Sequence, residues 1–133
     1  MKVLRFRVVE KPLIIKCGDN YPVESSTSFP SHFIWINPTP TGVVKINNLN
    51  GIPIKVSIRV DGVLIETSPY FGNVAFQSDL DIYNTNNYLP IESIDNNMNF
   101  PYPITGLNAS SVIDIKVYSP LHPGNFNVFI ECG

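Results

Sequence analysis

Charge is scarce in this 133-residue chain, where Asp, Glu, Lys and Arg make up 15% of the residues. A soluble domain ordinarily carries about a quarter. No apolar run approaches the roughly 18–20 residues that a membrane helix needs, which excludes a helical span. The opening stretch MKVLRFRVVEKPLIIK is broken by charge every few residues, so it lacks the apolar core of a signal peptide. Synthesis in a cytoplasm is therefore expected. Helical periodicity, with its start and stop residues, is hardly present.

The groups that do chemistry are equally sparse. There is no Gly-x-Ser-x-Gly elbow, no glycine-rich phosphate loop and no dinucleotide fingerprint. The chain has two histidines, His32 and His122, and two cysteines, Cys17 and Cys132, with no spacing that marks a base and nucleophile. Two histidines and two distant cysteines do not make a zinc site. Asp79 and Asp81, followed by Asn84 and Asn86, are oxygen-rich enough to suggest calcium. The register of a helix–loop–helix calcium motif nevertheless fails, with Asn84 at its glycine and Pro90 at its closing glutamate. A non-enzymatic protein without cofactor or metal is expected.

Period-two alternation, by contrast, recurs along the chain. Strands are expected at 2–9, 13–17, 32–37, 43–47, 52–60, 63–65, 112–118 and 125–131, with weaker runs at 73–77 and 79–83. The clearest is Ile52, Ile54, Val56, Ile58 and Val60, which share one face and run into Asp61-Gly62 and then Val63-Leu64-Ile65. An Asp-Gly pair between apolar runs marks a type I′ hairpin, since both central residues must take positive φ. Residues 18–31 read as a loop, and about 84–106 as a long Asn/Pro-rich connection. Fifteen asparagines fall mostly between the apolar runs, where they suit turns. The expected fold is one all-β domain over 1–133, an antiparallel β-sandwich of about 8–10 short strands, immunoglobulin-like or jelly-roll-like. If the first and last strands are neighbours, Cys17 and Cys132 can pair; without a leader they are expected to be reduced.

The formal charge of −2 hides a division. Residues 1–16 carry Lys2, Arg5, Arg7, Lys11 and Lys16 against Glu10, a net +4, while the remainder sums to −6. Arg5 and Arg7 then form either the solvent face of a strand or an arm that docks on an acidic surface of a neighbouring subunit. The acidic remainder makes nucleic acid an improbable partner.

Phe33-Ile34-Trp35-Ile36-Asn37-Pro38, the Asp61-Gly62 hairpin, and Ile104-Thr105-Gly106-Leu107-Asn108 leading into Ile113–Tyr118 together resemble fibronectin type III and immunoglobulin-like modules. That resemblance implies a Trp packed between two sheets and a Leu-bearing turn before a late strand. Small Asn-rich sandwiches of this style also resemble accessory and connector proteins of phage particles. Tyr70, Phe71, Tyr83, Tyr88, Phe100 and Tyr102, set among Gly, Asn and Pro, are candidate contact residues alongside Arg5 and Arg7. The alternative is that these rings plug the ends of the sandwich. The reading is a structural protein of a virion (capsid decoration, connector or fibre-associated subunit), made in the host cytoplasm and acting through self-association or docking to a larger assembly. A carbohydrate-binding or adhesion module is the alternative, with a glycan as ligand.

Overall fold

The structure, a computed structural model, describes residues 7–8, 11–73, 94–95, 97–119 and 122–133. Among them are twelve strands and no helix: β1 (Arg7–Val8), β2 (Leu13–Ile15), β3 (Asn20–Glu24), β4 (Ser31–Ile36), β5 (Gly42–Asn48), β6 (Lys55–Val60), β7 (Val63–Thr67), β8 (Tyr70–Phe71), β9 (Ile94–Asp95), β10 (Asn99–Ile104), β11 (Val112–Tyr118) and β12 (Asn125–Cys132). One sheet runs β1-β3-β12-β5-β10 and a second β2-β4-β11-β6-β7, while β8 and β9 pair separately. The chain is an all-β sandwich.

The topology grows from one hairpin. Asp61 and Gly62 take φ values of 49° and 84°, as a type I′ turn requires, and join β6 to β7. Moving outward from that tip, β5 pairs with β10, β4 with β11 and β3 with β12, all antiparallel. The strands are thus nested like one long hairpin. Rolling it up sets β12 against β5 and β11 against β6, which completes the two four-strand layers of a jelly roll. The strand order is therefore the jelly-roll alternative; an immunoglobulin sandwich groups its strands A-B-E-D and C-F-G. Two early segments extend the layers in parallel, β1 along β3 and β2 along β4.

Alternation fills the space between the sheets. Val23, Val44, Ile46, Phe126, Val128 and Ile130 from the first sheet meet Ile15, Phe33, Trp35, Val56, Ile58, Ile113, Ile115 and Val117 from the second, none more than 2% exposed. Phe33 meets Phe126 edge-on, with ring centroids 6.1 Å apart. Each such side chain contributes about 1.5–3 kcal/mol of burial. The Trp expected between the sheets is there, and so is the Leu-bearing turn: Leu107 is buried, and its N–H donates to the Pro40 carbonyl at 3.0 Å.

Three expectations are corrected. Residues 18–31 are not all loop, because β3 forms there; Pro22 interrupts its short apolar signal, and its main partner β12 comes from the far end of the chain. The connection at 84–106 ends in β10, where Pro101 and Pro103 hid the strand. Prolines two apart share one side of a strand, and on an edge strand that side needs no ladder partner, so the intervening residues keep the pairing to β5. Finally, Cys17 and Cys132 form a disulfide across 115 residues, with Cα atoms 5.3 Å apart, and are not reduced thiols. The turn after β2 passes over the end of β12, where Gly18 N–H donates to the Ile130 carbonyl at 2.8 Å, and that crossing brings the sulfurs together. The runs at 74–77 and 79–83, including Asp79 and Asp81, lie outside the described residues.

Candidate interaction surface

Of the eight candidate contact residues, Arg5, Tyr83 and Tyr88 lie outside the described residues. Arg7 is in β1, opposite Val23. Tyr70 and Phe71, on β8, are interior, at 0% and 2% exposure, because β8 follows the hairpin back over the core and Phe71 bridges Ile54. Neither ring is presented to solvent. Beside Tyr70, the Lys55 ammonium lies 5.4 Å from the ring centroid, and burial pushes its pKa below the ordinary 10.5. Phe100 and Tyr102 alternate with the prolines of β10, half-buried and turned toward the core. Phe71, Phe100 and Tyr102 form a run of near-parallel rings, with centroids 6.0 and 6.3 Å apart, that closes this edge of the sandwich.

The accessible apolar surface lies elsewhere. Among the described residues seven large apolar side chains are exposed, and six of them belong to the second sheet: Ile14 on β2, Ile36 on β4, Val112 on β11, and Val63, Leu64 and Ile65 on β7. The seventh, Leu49, sits in the turn after β5. Ile14 lies opposite Ile34, and Ile36 opposite Val112, so this face carries a continuous apolar strip at its β2 end. On the same face His32 Nε2 and Asp114 Oδ1 are 2.7 Å apart, an ion pair when the imidazole is protonated. A groove of about 300 Å³ runs along β2, lined by Ile14, Ile15, Lys16, Cys17, Trp35, Ile36 and Asn37. A second, of about 270 Å³, follows β7 at Leu64, Ile65, Glu66 and Thr67.

The sequence does not single these residues out, because it does not show which strands end a sheet. A signal was present. Strict alternation hides every apolar residue on one face, whereas an uninterrupted run such as Leu13-Ile14-Ile15 or Val63-Leu64-Ile65 must turn one or more outward on an edge strand. No group of three or more His, Cys, Asp or Glu among the described residues is placed to hold a metal ion.

No protein-family model matches the chain, and no curated protein matches it. Among solved structures, the fold is similar to the pre-peptidase C-terminal domain of collagenase from Bacillus anthracis. That likeness covers 92% of this chain and 96% of the other, with a TM-score of 0.56 and 8% sequence identity. At that identity the likeness is one of fold, a β-sandwich module.

Proposed function

We propose that this chain is a non-enzymatic assembly module acting through protein–protein contacts, as a surface subunit of a virus particle: a decoration, connector or fibre-associated protein. The observation that carries this reading is the apolar second sheet: among the described residues, six of the seven exposed large apolar side chains lie on its strands. Scattered single apolar residues are ordinary on a monomer; here they are grouped, Ile14, Ile36 and Val112 at the β2 end of the sheet and Val63, Leu64 and Ile65 on its β7 edge, as contact surfaces require. The Cys17–Cys132 disulfide supports placement on a virion or in an extracellular setting, where such bonds persist, over residence in a reducing cytoplasm. Jelly rolls serve viral capsids and also lectins, an analogy of fold that favours neither alone.

The carbohydrate-binding alternative rests on the half-exposed, near-parallel Phe100 and Tyr102 rings, on which a sugar ring can stack. Sedimentation of the purified protein, alone and with candidate particles, tests the leading reading. Self-association or particle docking is expected. A protein that stays monomeric at high concentration and docks to nothing, while binding a glycan array through Tyr102, would replace it with the alternative.

A further inference from the structure

Among the described strands, the second sheet ends on two edges of opposite charge. On β2 the sequence is Lys11-Pro12-Leu13-Ile14-Ile15-Lys16, with a cation at each end of an apolar run. On β7 it is Asp61-Gly62-Val63-Leu64-Ile65-Glu66, with an acid at each end of another. The spacing of the flanking charges is the same. Both lysines and Asp61 are exposed, and Glu66 is half-exposed. The salt bridges among the described residues are His32–Asp114 and Lys45–Glu131, so none of these four is committed to one. Four of the seven exposed large apolar residues among the described ones, Ile14, Val63, Leu64 and Ile65, lie in these two edge segments. The first sheet differs, since its β10 edge is blocked by Pro101 and Pro103.

We infer that successive copies of this chain join head to tail, the β7 edge of one pairing with the β2 edge of the next, so that the second sheet runs on from subunit to subunit. This deepens the assembly reading and rests on it. The strand directions suit the join. β2 is parallel to β4, and each further step to β11, β6 and β7 is antiparallel, so β7 runs opposite to β2. A second copy in the same orientation therefore offers its β2 antiparallel to β7, with no rotation of the sheet. Matching the faces sets Ile14 opposite Leu64, both on the outer face, and Ile15 opposite Val63, which lies across from Val60. Ile65 is the extra residue of a bulge in β7, so beyond it Leu13 falls opposite Glu66, and Lys11 lies two residues along from Glu66 on the same face. At the other end Lys16 falls opposite Gly62, and the Asp61 carboxylate accepts from Val112 N–H within its own sheet at 2.9 Å. A same-face charge pair such as Lys11–Glu66 selects register and partner, while backbone pairing and the Ile14–Leu64 contact supply adhesion. The contact is heterologous, joining different surfaces of the two copies, so it propagates as a ring or an open filament.

The test uses the whole chain in its oxidised form and two charge reversals outside the core, Glu66→Lys and Lys11→Glu. Asp61 is left alone because it holds the hairpin turn. Sedimentation velocity over a concentration series is expected to show wild-type association that weakens with added salt. Each reversal alone should weaken it roughly tenfold, and an equimolar mixture of the two variants should restore it, because each then offers the other a complementary edge. Circular dichroism and melting confirm that both variants remain folded. A wild-type protein that docks to a particle but never to itself overturns the inference and leaves the assembly reading standing. Self-association indifferent to both reversals, or not restored on mixing, overturns it in the same way.

Discussion

Asn48 shows how one polar side chain can hold a turn. It is 5% exposed, its amide donates to the Ile52 and Phe71 carbonyls at 2.8 and 3.0 Å, and its carbonyl accepts from Gly51 N–H at 2.8 Å. Asn48→Ala strands the Gly51 N–H and the Ile52 carbonyl and leaves the Phe71 carbonyl only the Ile54 N–H, 3.1 Å away, and is expected to cost about 2–4 kcal/mol in chemical denaturation. It also frees the Gly51 nitrogen, the nucleophile in deamidation of Asn50, so mass spectrometry of the aged variant should show faster gain of acid at Asn50 than wild type. Lys55 gives a pH signature. Burial favours its neutral amine, so the folded chain holds that proton less tightly than the unfolded chain, whose lysine titrates near 10.5. The penalty is present in full below the folded pKa and is relieved as pH rises toward 10.5, so stability gains over that window. Lys55→Met should flatten the gain in melts taken between neutral pH and 10.5.

Among the elements, β10 is the instructive one. Pro101 and Pro103 sit at alternate, exposed positions of a strand with one ladder neighbour among the described strands, β5, and keep its other side from recruiting another strand. Replacing both by Thr restores two N–H donors on an edge that already bears Phe100 and Tyr102. The doubly substituted protein is expected to aggregate at concentrations where wild type stays clear, as followed by light scattering. The same prolines are why the strand was not legible: they lower strand propensity locally, and only the pairing of Asn99–Ile104 with Gly42–Asn47 outweighs that. The β6–β7 hairpin is the opposite case. Its alternation, its Asp-Gly turn and its positive φ angles all agree, so local chemistry sufficed.

For the molecule as a whole, the disulfide ties the turn after β2 to the end of β12 across 115 residues, nearly the full length of the chain. Closing so long a loop restricts the unfolded state, and replacing both cysteines by Ser is expected to lower stability by about 2–5 kcal/mol. Melting with and without reductant checks this, and wild type denatured without reductant should titrate no free thiol.

What the sequence determined by itself is what local periodicity and turn chemistry control: an all-β chain, the inward set Ile54, Val56, Ile58, Ile113, Ile115, Val128 and Ile130, and the hairpin at Asp61-Gly62. Those signals lie within a few residues of one another and need no partner to be read. The tertiary structure alone decided which strands become edges, and hence that Ile14 and Val63–Ile65 stay accessible while Tyr70 and Phe71 go inside. It also decided that Cys17 meets Cys132. Each of these depends on strands distant along the chain finding one another, and the order of a rolled hairpin is set by how its layers close over a shared core, which no single segment encodes.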